Sequence, residues 1–448
     1  MRIMRKIMPL YFSRYSYSLF RYFRIINIML DIKFIKENPD LIKEAVRKKH
    51  VKFDVDELLK VEEERTQNLL LVENLRAEQN KVTEKISQTT DKVAREQLID
   101  EMRTFKEHLK EKEAKLEGVM KKWRDLMIQA PNVPDMSVPE GADETANQEI
   151  KRWGDIPTFS FKPKDHIELM EKLDLVDLER GVKVSGFRGY FLKNEAALLS
   201  FAIWQYAMDA LVTKGFSPLI VPSRVKKEVL LGTGYLPHGE DDLFKTQDDD
   251  YLAGTGEVGT MGYFMNDVIA GTDLPIKIAA FSPCFRREAG SYGKDVKGLI
   301  RVHEFFKVEQ LILCEASHEE SVKWHEELTK NAEELLQALK LPYRIVTLCG
   351  GEMGKPHVKT YDIETWIPSE GKYRETHSSS YYHDFQTRRL GIKYKDAEGK
   401  TKYAHSLNNT AIATPRIIAA IIENYQQADG SIAVPEVLKK YIGKDVIK

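Results

Sequence analysis

From Leu58, apolar residues recur at alternating steps of three and four. Leu58, Val61, Val72, Leu75, Val82, Ile86 and Val93 share one ladder, with Arg65, Asn68 and Gln79 on its polar rungs. This spacing keeps one face of a helix apolar over about four heptads and predicts a coiled-coil seam. After a turn-like SQTTDKVARE the ladder restarts as Leu98, Met102, Phe105, Leu109, Leu116, Val119, Trp123 and Leu126. It ends at APNVP, where Pro131 and Pro134 forbid further helix. Two long antiparallel helices are expected, and at ~1.5 Å per residue their hairpin should reach on the order of 50 Å. On periodicity alone a spacer or dimerisation coil is the favoured account. Lys81, Lys85, Lys92, Arg95, Arg103, Lys106, Lys110 and Lys112 tilt it modestly toward a nucleic-acid surface, because they gather in the tip half, although acids are interleaved.

Beyond a polar, Pro- and acid-rich linker from Pro134 to about Gln148, the pattern changes. LLSFAIWQYAMDALVTKGF reads as an amphipathic helix closing at Gly215, and SPLIVPS as a short strand cut by Pro222. FRREAGSYGKDVKGLIRVHEF, residues 285–305, reads as two strands joined by a glycine and basic loop. Strands alternating with moderate helices predict an α+β class. No G-x-G-x-x-G opening a βαβ unit, G-x-x-x-x-G-K-[ST], H-E-x-x-H or G-x-S-x-G is present, so any ATP site is built by another device.

At 448 residues the chain is long enough for two or three domains. We expect a leader at 1–28, a helical arm domain at 29–135 and a catalytic domain at 136–448. The 68 Lys and Arg nearly balance the 69 Asp and Glu, so bulk charge does not decide for or against a polyanionic partner. Cys284, Cys314 and Cys349 are far apart and lack zinc-ligand spacing. They read as buried thiols of a reducing, cytoplasmic setting, with no disulfide or structural metal. Residues 1–28 carry six basic residues and no acid. Arg14, Arg21 and Arg24 break their apolar runs well short of the roughly 20 residues that span a bilayer, so no membrane anchor is expected. A transit peptide, a basic surface arm or upstream sequence before a start at Met29 fits; the last is preferred, because ordinary globular patterning begins at MLDIKFIKENPDLI.

Pro222 after its helix and strand, FRRE with RVHEF, and LNNTAIATPRIIAAIIENYQ (407–426) occur in the order of the three signature motifs of class II aminoacyl-tRNA synthetases. GTGYLP (232–237), AGTGEV (253–258), FFKVEQ (305–310), KTYDIETW (359–366), DFQTRR (384–389) and DGSIAVPEVL (429–438) make the chain resemble the seryl-tRNA synthetase branch in particular, from about residue 29 onward. The resemblance implies an antiparallel sheet flanked by helices, preceded by a coiled-coil arm that binds tRNA. The implied reaction forms seryl-adenylate from L-serine and ATP, then seryl-tRNA(Ser), with tRNA(Sec) as a further acceptor. It also implies a homodimer formed through Pro222 and its helix.

The same resemblance assigns roles. Arg286 would grip the serine carboxylate and the α-phosphate, and Arg416, opening a helix after Pro415, the γ-phosphate; these two are the expected catalytic residues. Thr255, Gly256 and Glu257 would hold the ammonium, with Glu309 and Thr410 on the serine hydroxyl. Arg287, Glu288, Val302, Phe305, Thr376 and His377 would complete the ATP site, Phe305 stacking on the base. Glu375 and Ser378 would hold Mg²⁺ between ATP phosphates, a hard cation that prefers oxygen ligands. Several positions depart from the commonest family pattern: Gly256 replaces Ala, Glu304 replaces Gln, His377 replaces Ser, and Asn409 with Thr410 replace Gly and Ser. A carrier-protein ligase homologue and a non-catalytic coiled-coil paralogue are the rival readings.

Overall fold

The computed structural model describes residues 31–290 and 298–448. The expectations for residues 1–28 and for the centre of the glycine and basic loop therefore lie outside the described residues. The chain divides into two units, Leu30–Arg152 with Arg344–Asp362, and Trp153–Tyr343 with Ile363–Lys448.

In the first unit, Asp54 caps helix α1 (Val55–Gln88) by accepting from the Glu57 amide at 2.9 Å. Asp91 caps α2 (Lys92–Gln129) in the same way, accepting from Ala94 at 2.8 Å. The link is thus shorter than the polar composition of SQTTDKVARE suggests. Ser87 and Gln88 stay in α1, and everything after Asp91 is already α2. Val93 falls off the seam as a result and is 67% exposed.

Leu58, Val61 and Val72 of α1, with Met102, Leu109, Val119 and Trp123 of α2, form the buried seam. Arg65, one of the polar rungs, stacks its guanidinium 4.9 Å from the Trp123 ring centre while pairing with Glu62 at 2.7 Å. Arg76 reaches Glu113 across the pair at 2.7 Å, and Lys122 reaches Glu57. Val82 and Ile86, nearer the tip, are only half-buried, so fewer apolar contacts hold that end. Elsewhere in this unit, the buried Lys49 ammonium donates to the carbonyls of Gly354, Lys355 and His357 at 3.1, 2.8 and 2.5 Å, tying 344–362 to the start of the chain.

The second unit is organised by strands β1 (Ser217–Ile220), β2 (Ile276–Phe285), β3 (Glu304–Cys314), β4 (Lys359–Ile367), β5 (Lys372–Tyr381) and β6 (His405–Thr414), in the sheet order β4-β5-β6-β3-β2-β1. β2, β3, β6 and β5 pair antiparallel in turn, and the edge strand β1 runs parallel to β2. Helix α3 (Asn194–Thr213) is long and apolar enough to cross a membrane by composition. It is a core helix, for it buries Leu199, Ile203, Ala207 and Leu211, and Trp204 donates from Nε1 to Thr414 Oγ1 at 3.2 Å.

Side chains alternate across a strand, so Gln310 and Glu309 of β3 face opposite sides. Gln310 accepts from Asn331 of helix α4 (His318–Ala338) at 2.8 Å and donates to Asn409 at 2.9 Å, which locks α4 to the back of the sheet. Glu309 is left on the front. The β3–β6 register places Val308 opposite Ile412 but Glu309 opposite Thr410, so Ala411 is an extra residue, a β-bulge. The bulge aligns Glu309 with Thr410. Cys284, Cys314 and Cys349 are buried free thiols.

Candidate active site

Two chain turns deliver one end of the site. Thr255 caps the short helix Gly256–Tyr263, its hydroxyl accepting from the Glu257 amide at 3.4 Å. Glu257, 1% exposed, then turns its carboxylate inward and accepts from Gln386 Nε2 at 2.5 Å, Asn408 Nδ2 at 2.9 Å and the Tyr235 hydroxyl at 3.0 Å. Burial pushes this carboxyl up to about 7, with Glu309 adding to the rise, against the lowering effect of Gln386, Tyr235 and Lys307. Glu309 lies beside it, ion-paired to Lys307, whose Nζ also donates to Thr255 Oγ1 at 2.8 Å.

Arg286 follows directly on β2. Its backbone amide donates to the His303 carbonyl at 3.0 Å, its Nε to the Gly254 carbonyl at 3.3 Å, and its guanidinium carbon lies 5.3 Å from the Phe305 ring centre. The guanidinium therefore stands between the loop that carries Thr255 and the aromatic face of β3. A small cleft of about 60 Å³ opens from here. Arg286, Glu288, Val302, Phe305, Lys307, Glu375, Thr376, Thr410 and Arg416 all line it. Arg416, the first residue of helix Arg416–Asn424, donates from Nε to the Ile300 carbonyl at 2.8 Å and from Nη1 to the Glu375 carbonyl at 2.8 Å and carboxylate at 3.2 Å. Desolvation would raise the Glu375 carboxyl, but Arg416 and Arg286 outweigh it and hold the group below the usual range. Glu288 meets Arg301 at 2.7 Å.

The remaining expected residues do not line this cleft. Arg287 lines a neighbouring apolar groove, its amide fixed on the Asp242 carbonyl at 2.9 Å. His377 is 1% exposed, its Nε2 hydrogen donating to the Ala411 carbonyl at 3.1 Å and its Nδ1 accepting from Thr376 at 2.8 Å. Burial drives that imidazole down to about 4, so it is neutral. His377 thus braces the bulge residue from within the sheet. Ser378 is half-buried on β5, outside the lining of the cleft. Gly256 is packed so closely that a Cβ there would meet Ser282 Oγ at 3.0 Å.

Residues 29–134 match the seryl-tRNA synthetase N-terminal domain, and residues 243–425 the class II tRNA synthetase core domain shared by the G, H, P, S and T enzymes. The serine–tRNA ligase of Deinococcus radiodurans is 46% identical over 416 residues, which cover 93% of this chain and 98% of that one. The chain belongs to the seryl-tRNA synthetase family. Among solved structures, the seryl-tRNA synthetase of Pyrococcus horikoshii complexed with ATP superposes with a TM-score of 0.85 at 40% identity, covering 94% of this chain and 99% of that one. The cytoplasmic serine–tRNA ligase of Naegleria fowleri in complex with AMP gives 0.81 at 29% identity, over the same shares of the two chains. The helix-flanked, largely antiparallel sheet is the class II synthetase fold that the motif order implies.

Within this seryl-tRNA synthetase fold, four contributors to the site carried no individual assignment from sequence: Tyr235, Lys307, Gln386 and Asn408. Each sits inside a stretch that carries the family resemblance, GTGYLP, FFKVEQ, DFQTRR or LNNT. Their polar heads on otherwise buried segments are the signal that could have singled them out. The departures from family pattern also find their places. Asn409 faces the back of the sheet on Gln310, and Glu304 is exposed at the start of β3, lining the apolar groove.

Proposed function

We propose that this enzyme is a serine–tRNA ligase that forms seryl-adenylate from L-serine and ATP and passes the seryl group to the 3′ end of tRNA(Ser), and of tRNA(Sec) by family likeness. The observation that carries the reading is the convergence of Arg286, Arg416, Thr410 and Lys307 on one cleft, with Glu309 ion-paired to Lys307. A serine carboxylate oxygen attacks the α-phosphorus, the α–β phosphoanhydride bond breaks and pyrophosphate leaves. Two anions must approach for this, so fixed positive charge and orientation carry the catalysis. Arg286 grips the carboxylate and α-phosphate in planar, bidentate fashion, and Arg416 the terminal phosphate of a bent ATP. A ribose hydroxyl of the tRNA then attacks the seryl carbonyl and AMP departs.

Thr255, Gly256 and Glu257 receive the ammonium in this reading, and Glu309 with Thr410 the hydroxyl. Glu288 and Val302 border the adenine side, where Phe305 stacks, and Arg287 lies nearby. Thr376 and His377 support the strand that carries Glu375. Glu375, a carboxylate held ionised by two arginines, suits Mg²⁺, an ion that takes most of its oxygens from phosphates and water; Ser378 would join it by family likeness alone, since it lies outside the lining of the cleft. When bound, that ion neutralises charge on the ATP phosphates.

The basic tip half of the arm supports a role in gripping tRNA. A groove of about 780 Å³ on the second unit, with Phe187, Phe191 and Phe201 44–65% exposed in its walls, supports a homodimer with a second copy seated there. A translation enzyme with buried free thiols fits the cytoplasm. Serine-dependent ATP/pyrophosphate exchange, followed by charging of tRNA(Ser), tests the function. No exchange would refute a ligase, and exchange without charging would favour the carrier-protein reading.

A further inference from the structure

Phe305, Lys307 and Glu309 share one face of β3 at the period of a strand, so a lysine is placed between the base-stacking ring and the carboxylate at the serine end. Lys307 is 5% exposed, Glu309 1% and Thr255 2%. An ammonium so buried stays charged only if its partners compensate it. Its partners are Glu309 Oε2 and Thr255 Oγ1, and the Thr255 hydroxyl lies 3.5 Å from the same Oε2. Both are residues that the proposed function gives to the amino-acid substrate. Lys307 also lines the cleft with Thr410 and Arg286.

One carboxylate oxygen of Glu309 is therefore taken by the protein. Oε1 receives no hydrogen bond from any described residue, and Thr410 lies opposite Glu309 in the β3–β6 register. We propose that Lys307 is a specificity-determining positioning residue, which clamps Oε2 and Thr255 so that Oε1 is aimed at the side-chain hydroxyl of serine. The inference rests on the placement of serine at Glu309. Without the clamp, a free carboxylate rotates among orientations and turns toward other donors, and a substrate with a hydroxyl loses its advantage over one without.

The clamp accounts for features that a general charge would not. A lysine is a compact donor that can serve two oxygens from a flexible stem, whereas the broad, planar guanidinium of arginine would fill the space meant for substrate. Arg286 and Arg416 stand ready on the phosphate side, so the positive charge of Lys307 is not needed there.

The test is pyrophosphate exchange by the full-length enzyme, with serine and alanine as competing substrates. Lys307→Met matches the stem and removes the ammonium; Lys307→Gln keeps an amide donor without the charge. Loss of a charge-assisted contact to a buried carboxylate should raise the KM for serine by about ten- to a hundred-fold, and the preference for serine over alanine should shrink with it. The KM for ATP should stay within about threefold, a split that a purely structural defect would not produce. If Lys307→Met does not fold, Lys307→Gln carries the same measurement. A folded variant that melts earlier but keeps both its serine KM and its serine-to-alanine ratio overturns the proposal and leaves Lys307 a structural ion-pair partner. Glu309→Ala separates the two layers. If it keeps the ratio, the serine placement is wrong; if it loses the ratio while Lys307→Met retains it, the clamp alone is wrong.

Discussion

Arg416 and Glu375 are joined twice, Nη1 of the arginine lying 2.8 Å from the glutamate carbonyl and 3.2 Å from its carboxylate. One residue opens a helix and the other sits within β5, so the pair fixes the end of the cleft that the proposed function gives to the phosphates. Preset charge costs no reorganisation during reaction.

Replacing Arg416 by alanine should therefore raise the KM for ATP and lower kcat in exchange, together cutting kcat/KM by about a hundred-fold or more, since a charge-assisted contact contributes roughly 1.5 to 3 kcal/mol and several are lost. Arg416→Lys should recover little, because a single nitrogen lacks the planar fork that meets Ile300 from Nε and Glu375 from Nη1 and leaves Nη2 for a phosphate. Initial-rate exchange kinetics with ATP varied would check this, and full activity of the lysine variant would speak against a planar, multidentate role.

Glu309→Ala should cut kcat/KM for serine by about ten- to a hundred-fold or more while the KM for ATP moves little. Sites built around a substrate hydroxyl commonly reject the analogue lacking it by about 10⁴-fold, so the discrimination against alanine should collapse in the same variant. The serine-to-alanine ratio, measured in exchange, is the deciding quantity.

Glu257 carries a pH signature. Burial pushes its carboxyl up from an ordinary value of 4.5 to about 7. A proton on it removes the negative charge that would hold the substrate ammonium, so kcat/KM for serine should rise as pH passes upward through about 7 and level off above. Glu257→Gln should flatten that rise at a low rate. The linkage to folding has the opposite sign. The folded state binds the proton more tightly than the unfolded chain, so the contribution of this group to stability is full below pH 4.5 and is lost as pH rises through about 7. Thermal melts of wild type and Glu257→Gln from pH 5 to 8 would read it.

Removing Asp54 to Gln129 behind a short linker should spare adenylate formation and collapse tRNA charging. Phosphate contacts release counterions, so charging by the intact enzyme should also fall with added salt more steeply than exchange does. Full charging by the armless form would refute the assigned role of the arm.

The arm was legible from periodicity because a seam repeats the same local rule many times. Its turn is shorter than the composition predicts because one cap, Asp91, outweighs the helix-averse residues before it. The cleft was legible only through motif resemblance. Arg286 and Arg416 stand 130 positions apart, and nothing local announces that β2 and the helix after β6 converge. Lys307 illustrates the remaining gap: a lysine beside apolar residues in FFKVEQ reads as the wet side of a strand, and only its burial shows that it points inward. His377 illustrates the reverse, since its neighbours suggest a nucleotide contact while both its ring nitrogens are engaged inside the sheet.

The extra residue at Ala411 makes the length of this stretch a harder constraint than its composition. Asn409 and Thr410 differ from the usual family residues and are accommodated, one by Gln310 behind the sheet and the other opposite Glu309. A second extra residue between Thr410 and Thr414 would find no partner in the ladder and would slide every side chain on one flank of β6 to the opposite face. Where that flank is the Thr410 side, Asn408 would leave Glu257 and Thr410 would turn away from Glu309. Libraries that vary the identities along this strand should therefore yield active enzymes with altered amino-acid preference, while those that insert a residue within it should yield none.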